Sequence, residues 1–329
     1  MDVLVIGASG HLGASLVREL NAGGWSVTAL IHQHTRSLEG LDIERISGDI
    51  LDTDSLKKAC KGIDIVFHLA ARISIVKNDR ELVEALNIDG VRNVVNACLE
   101  TGVRRLVHTS SFHAMVQEPL FEPMDETRAL VRGSGYPPYN LSKAEGERIV
   151  RSAVEKGLDA VIITPSGMIG PHDYEPSLFG ATLLLLAKGK MPALVRAGLD
   201  WVDTRDVAAG MIQAAETAKS GEKYLLSGHR GNLEEIAGYV EEHLSRKPPG
   251  IVLPFSIAYS LAPVVSAFDR LRGKRQLFTR TGMEELNGNR SLLHDKATRE
   301  LGYEPRPLRE TITDTLDWFR QNGYIQEVE

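Results

Sequence analysis

Short, unbroken apolar runs alternate along the first half of the chain with stretches in which apolar residues recur every third or fourth position. Runs at 3–6, 27–31, 43–47, 65–69, 105–109 and 160–164 have the length of strands. Apolar from end to end, they predict strands covered on both faces. Helical spacing fills 12–21, 80–100 and 139–156, and the last two stop at Gly102 and Gly157, glycines suited to the left-handed residue that closes a helix. Such alternation, joined by right-handed crossovers, predicts an α/β fold built on a doubly wound parallel sheet. After Pro165 the order loosens. A helix is predicted over 178–188, a short strand with a helix over 201–218, a strand over 224–226, and helices over 233–244 and 308–321.

Composition adds little to this picture but excludes some functions. At 329 residues, the chain has room for one large α/β domain with a smaller appendage. A net charge of −6 gives no electrostatic case for nucleic acid or an anionic membrane as partner. Cys60 and Cys98 lie far apart in sequence without metal-ligand spacing, so no metal is expected, and reduced thiols in a cytoplasmic protein are. The chain opens as a strand from its second residue rather than as a signal peptide. Residues 251–268 are almost continuously apolar and approach the length of a membrane span. Pro254, Pro263 and three serines interrupt them, so a buried or substrate-covering helix is expected, with no stable span.

The first candidate chemistry is a glycine-rich turn. Gly7-Ala-Ser9-Gly10-His11-Leu12-Gly13 follows the first strand and opens the first helix. Glycine lets the backbone turn tightly against a pyrophosphate, and a helix N-terminus offers free N–H groups and partial positive charge. The spacing is G-x-x-G-x-x-G rather than G-x-G-x-x-G, and a purely structural turn is the plain alternative; the strand before and helix after favour a dinucleotide. Gly7, Ser9, Gly10, His11, Leu12 and Gly13 are therefore candidate cofactor contacts. Residues 1–165 read as a dinucleotide-binding Rossmann domain. Residues 166–329 read as a smaller, mostly helical substrate region with some return of chain to the sheet. Ile31-His32-Gln33-His34-Thr35-Arg36, at the end of the second strand, holds no carboxylate to take ribose hydroxyls. Arg36 could clasp a 2′-phosphate and His32 could stack or donate beside it, so NADP is favoured with NAD the alternative. Arg36 could equally be a solvated loop residue.

Tyr139-Asn-Leu-Ser-Lys143 carries the second candidate. Pro137 and Pro138 mark a helix start, and residues four apart share a helical face. An ammonium beside a phenol stabilises the phenolate, lowers its pKa and fits Tyr139 for acid–base work near neutral pH. Such a pair is common by chance on surface helices. Ser110 and Ser111 raise its weight, because they end an apolar strand where ligands of doubly wound sheets bind. Ser111 could bond a substrate oxygen; capping a loop is its ordinary alternative.

With these residues in order, the chain resembles the extended short-chain dehydrogenase/reductases, the NAD-dependent epimerase/dehydratase family, over nearly its full length. Gly48-Asp49-Ile50, His68-Leu69-Ala70-Ala71, Asn87, Pro165-Ser-Gly-Met168-Ile-Gly-Pro171, Trp201-Val-Asp-Thr-Arg-Asp206-Val-Ala and Glu300-Leu-Gly-Tyr-Glu-Pro305 also carry the likeness. The resemblance implies that Asp49 and Ile50 meet an adenine, that Leu69, Ala70 and Ala71 line the cofactor, and that Asn87 supports its pocket. It implies that Lys143 holds the nicotinamide ribose, beside Tyr139, and that Pro165 and Met168 pack near the nicotinamide. It also allows a homodimer through the long helices of the cofactor domain. Ordinary packing or turn roles remain open for each residue.

The 164–171 run, with Thr164 where sugar-nucleotide epimerases commonly carry arginine, is similar to the dihydroflavonol-reductase-like and hopanoid-associated epimerase-like branch. The aperiodic segment 112–138 should wall the substrate site, which makes Phe112, His113 and Met115 candidate substrate contacts, with His172 a further one. Three readings compete. The first is an NAD(P)-dependent reductase or alcohol dehydrogenase for an apolar small molecule. The second is a nucleotide-sugar epimerase or dehydratase that retains its cofactor and recruits Arg196, Arg205, Arg230 or Arg290 for a diphosphate. The third is a non-catalytic dinucleotide sensor, which has no use for Ser111, Tyr139 and Lys143 together.

Overall fold

The computed structural model describes residues 1–74, 79–273, 275–289 and 291–326; Arg290 therefore lies outside the described residues. The chain runs through β1 (Asp2–Ile6), α1 (His11–Ala22), β2 (Ser26–Ile31), β3 (Glu44–Ser47), α2 (Thr53–Cys60) and β4 (Ile65–His68). It continues through α3 (Arg80–Glu84), α4 (Gly90–Thr101), β5 (Arg105–Thr109), α5 (Pro138–Glu155), β6 (Ala160–Pro165) and β7 (Gly167–Ile169). Then come α6 (Leu178–Ala187), β8 (Leu194–Val195), β9 (Gly198–Asp203), α7 (Thr204–Thr217), β10 (Lys223–Leu226), β11 (His229–Asn232) and α8 (Leu233–Leu244). β12 (Val252–Leu253), α9 (Phe255–Leu271), α10 (Arg280–Glu285), α11 (Asp295–Leu301) and α12 (Leu308–Gln321) complete it.

Seven parallel strands form the main sheet in the order β3-β2-β1-β4-β5-β6-β10. The order reverses between β1 and β4, the switch point where doubly wound sheets open a crevice beyond the strand ends. Side chains on each strand alternate between two cores. Val3 and Val5 join Ile65, Phe67, Val161 and Ile163 on one face, covered by α1 and α7. Leu4 and Ile6 join Val66 and Ile162 on the other, under α2, α4 and α5. This two-faced burial is the reason the strands are apolar throughout. The chain after Pro165 returns to the sheet, since β10 pairs with β6 and α7 packs on α1.

Three features go beyond the sequence reading. The helix expected over 80–100 is broken by a π turn at Ala85–Asp89, an extra residue in the helical turn that carries the buried Asn87. Cys60 and Cys98, distant in sequence, meet thiol to thiol in the core, both unoxidised. The apolar segment, expected to form a buried or substrate-covering helix, forms α9, which contains Pro263 and buries only Ala258 and Ala262. Among the described residues no helix is long and apolar enough to cross a membrane.

Smaller sheets, β11-β9-β7 and β12-β8, stand beyond the main sheet's edge. Around them α6, α8 and α12 enclose a further apolar core, and α9 and α10 pack together beside β8. The long segment after β5 is ordered by the C-terminal region. The buried Asn289 amide donates to the carbonyl oxygens of Gln117, Pro119 and Glu122 at 3.0–3.2 Å, and Glu126 accepts from the Leu225 N–H at 2.8 Å.

Candidate active site

The glycine turn occupies the switch point. Gly7 has φ +91°, and a Cβ there would lie 2.6 Å from the Ala70 nitrogen; at Gly13 it would lie 2.1 Å from the Gly7 carbonyl oxygen. Neither position tolerates a side chain. Gly10 caps α1 without a side-chain acceptor, so the first N–H groups of the helix remain open to an anion. The side chains around them are committed elsewhere. Ser9 donates to the His34 carbonyl at 2.6 Å, His11 Nε2 meets the carbonyls of Gly170 and Pro171 at 3.0 Å, and Leu12 is core. Only backbone is offered to the ligand, and that donor set fits a dinucleotide pyrophosphate.

Beyond β2, His32 Nε2 lies 3.5 Å from Asp49 Oδ2, both side chains exposed. Asp49 Oδ1 also accepts from the Leu51 N–H at 2.9 Å. Ile50 is buried against Gly90, so its side chain belongs to the core. Arg36 donates to the Tyr324 hydroxyl at 3.2 Å and lies over the rings of Tyr324 and Tyr174. Leu69 and Ala70 donate backbone N–H groups to Ile6 and so stand directly against the turn. Asn87 ties this strand end to α5: it accepts from the Arg72 N–H at 2.8 Å and donates to the Arg72 carbonyl at 3.0 Å and to Ser142 Oγ at 2.9 Å. Pro165 ends β6, and Met168 lies in β7 against the first core.

Ser111, Tyr139 and Lys143 come together at this same edge. Ser111 follows β5, its hydroxyl bonded to Tyr139 and accepting from the His113 N–H at 3.3 Å. Pro137 and Pro138 start α5 one residue before Tyr139, since proline's fixed φ suits a first helical turn. Lys143 is buried, and its ammonium donates to the Thr109 carbonyl at 2.5 Å. Burial pulls it down to about 8, against the support of the Glu147 carboxylate. The Tyr139 phenol departs from expectation. Burial pushes it up to about 12, with the Ser111 bond opposing and the Glu285 carboxylate adding to the rise. The expected lowering by Lys143 does not appear among the influences on Tyr139.

Beneath them lie buried groups that sequence reasoning missed. His68 and His108, at the ends of β4 and β5, have their Nδ1 atoms 3.3 Å apart. Burial and the Lys143 charge hold His68 down to about 3 and His108 well below its ordinary value, so both are neutral. Glu147, fully buried, accepts from Ser110 Oγ at 2.8 Å, from Lys223 at 3.0 and 3.1 Å, and from Arg151 at 2.9 and 3.1 Å. Its place four residues after Lys143 was the one available signal. Glu285 had none, because it reaches Tyr139 from α10.

The candidate substrate contacts divide. His113 Nδ1 pairs with Glu285 Oε2 at 2.5 Å, which places its ring near Tyr139. Phe112 and Met115 are fully buried in a core and offer no surface to a substrate. His172, at φ +67°, packs edge-on to Trp318. Burial and the charges of Arg18, His11 and Arg205 hold its pKa down to about 4, and the structure does not bring it to Tyr139. Of the cations considered for a diphosphate, Arg205 is bound at 2.7 Å by both Asp203 and Asp314, and Arg196 lies exposed 3.9 Å from Glu234. Arg230 is exposed in β11 and has a partner of its own.

A sequence profile of the NAD dependent epimerase/dehydratase family matches residues 3–227, more than half of the chain. The chain belongs to that family. Sterol demethylase protein B of Methylococcus capsulatus is 34% identical over 99% of this chain and 100% of its own length. A Synechocystis protein provisionally named dihydroflavonol 4-reductase is 30% identical over 98% and 95%. The crystal structure of gox2253 superimposes with a TM-score of 0.86 at 35% identity, covering 98% of this chain and 99% of that one. The match meets the expected likeness to the epimerase/dehydratase family and its dihydroflavonol-reductase-like branch. The chain is an NAD(P)-dependent oxidoreductase of the extended short-chain dehydrogenase/reductase type.

Proposed function

We propose that the protein is an NADP(H)-dependent carbonyl reductase for an apolar, ring-bearing substrate, with Ser111, Tyr139 and Lys143 as its acid–base machinery. The observation that carries this reading is the Ser111–Tyr139 hydroxyl pair, with buried Lys143 alongside, at the strand edge that bears the open α1 N-terminus. When bound, the nicotinamide supplies the hydride. Ser111 orients the substrate oxygen, and Tyr139 gives its proton to that oxygen as the carbonyl carbon is reduced. Lys143, turning from the Thr109 carbonyl, stabilises the phenolate left behind.

NADP is preferred because no carboxylate follows β2 and Arg36 stands beside its end. An apolar substrate is supported by the sterol named for the Methylococcus relative. Residues 1–165 would hold the dinucleotide and 166–329 the substrate. A cytoplasmic location accords with two reduced buried cysteines, and a homodimer through α4 and α5 with the exposed Leu99 of α4.

The test is NADPH consumption by the purified protein over a panel of apolar cyclic ketones. Wild type should turn over steadily, and Tyr139→Phe should lose turnover while keeping its affinity for NADPH. Full activity in that variant removes Tyr139 from the mechanism. A co-purifying cofactor with interconversion of sugar nucleotides, and no net NADPH use, replaces the reductase by an epimerase.

A further inference from the structure

We infer that α9 docks the protein onto the surface of an anionic lipid bilayer, lying in the headgroup plane without crossing it. The helix is inverted relative to one packed on a core. Its inner face is small, with only Ala258 and Ala262 buried. Its large apolar residues Ile257, Leu261, Val264, Phe268 and Leu271 point outward, 46–86% exposed. They fall at i, i+4, i+7, i+11 and i+14, one continuous stripe along the helix. A surface helix of a globular protein turns that stripe inward; here it faces solvent in a chain that otherwise buries its apolar residues well.

Charge identifies the occupant. The chain carries −6 overall, yet the C-terminal end of α9 and the residues after it bring together Arg270, Arg272 and Arg275. Lys274, outside the described residues, adds a fourth cation in sequence. No carboxylate pairs with these three arginines among the described residues. The Arg272 guanidinium stacks on the Phe268 ring at 3.9 Å, which sets a cation directly against the apolar stripe. An apolar stripe edged by cations is the pattern of a helix that lies in an interface rich in anionic lipid. A second copy of the chain fits less well. One helix of 17 residues offers a face of about 250 Å² by its length and width, against about 800 Å² contributed by each partner of a stable interface.

The inner side of α9 packs on α10, with the Tyr259 hydroxyl donating to Glu284 at 2.7 Å, and Glu285 beside it bears on Tyr139. Docking through α9 would therefore bring the candidate pocket to the lipid surface. The inference does not rest on the activity proposed above, because its test reads binding.

The test is flotation of the whole protein with phosphatidylcholine vesicles, with and without one quarter phosphatidylglycerol. Wild type should float with the anionic vesicles, several-fold less with phosphatidylcholine alone, and be released by high salt. The exposed-site variant Val264→Asp/Phe268→Asp should bind about tenfold more weakly, with an unchanged melting temperature and unchanged turnover of a water-soluble ketone. Arg270→Glu/Arg272→Glu should lose the preference for anionic vesicles. The inference falls if wild type does not float with anionic vesicles, or if the Asp variant floats equally well. It also falls if sedimentation shows a dimer that the Asp variant splits, which would assign the stripe to a second copy.

Discussion

Glu147 offers the sharpest test of how the site is held together. It is fully buried, takes five donor contacts from Ser110, Lys223 and Arg151, and lies beneath Lys143. Glu147→Ala would leave the Lys223 ammonium, 4% exposed, without its counter-charge. Breaking one side of a buried pair costs about 3–5 kcal/mol. At about 1.5 °C per kcal/mol for a chain of 329 residues, the melting temperature should fall by roughly 4–7 °C. Arg151 reaches solvent and adds little to that loss. Replacing both partners by apolar groups, as in Glu147→Met/Lys223→Met, should return stability to within about 1 kcal/mol of wild type.

The same carboxylate sets a pH window. Burial alone would raise Glu147, but Lys223 and Arg151 hold it below the ordinary glutamate range. Its stabilisation is therefore complete above that range and is lost as pH falls through the depressed folded value, so the gap between wild type and Glu147→Ala should close in acid. Glu147 also supports the Lys143 charge, so the variant's lysine should lose its proton below pH 8 and its rate should decline at lower pH than wild type. Denaturant melts and pH–rate profiles read both effects. A single variant within about 1 kcal/mol of wild type, or a double variant no more stable than the single, would refute the reasoning.

Three further outcomes follow from the same geometry. Gly13→Ala sets a methyl group 2.1 Å from the Gly7 carbonyl oxygen; it should abolish dinucleotide binding or folding, read by NADPH fluorescence and circular dichroism. Lys143→Met should end turnover yet raise the melting temperature at pH 7, because a buried ammonium held down to about 8 destabilises the fold while it is charged. That gain should shrink as pH rises from about 8 to the ordinary lysine range, where the unfolded chain also loses its proton, and a constant gain would contradict it. Glu285→Gln removes a negative charge that raises Tyr139, so the alkaline titration of that phenol, followed by ultraviolet difference absorbance against Tyr139→Phe, should move to lower pH; an unmoved titration would separate Glu285 from the phenol.

How much of this could be read from the chain depends on how local each cause is. Strands buried on both faces are apolar throughout, and a helix closing on a left-handed glycine announces its end, so the main sheet, α1 and α5 were legible. So was the glycine turn, because the close approach of Gly7 and Gly13 to neighbouring backbone depends on residue type within one strand–helix unit. The short α2 was missed, although Asp52 caps it by accepting from the Asp54 and Ser55 N–H groups, since eight residues carry too few apolar positions to set a period. The π turn at Asn87 was invisible for a different reason: its partners, Arg72 and Ser142, come from other elements. The ionisation of the site was illegible throughout. Tyr139 and Lys143 share a helical face as their spacing requires, yet burial raises the phenol, and burial depends on elements far away in sequence. Glu285 bears on Tyr139 from α10, which packs on α9. A segment whose composition suggested a buried or substrate-covering helix therefore has two faces: a small one that packs on α10, and a large apolar one that no element of this chain covers among the described residues, the face assigned above to a lipid surface.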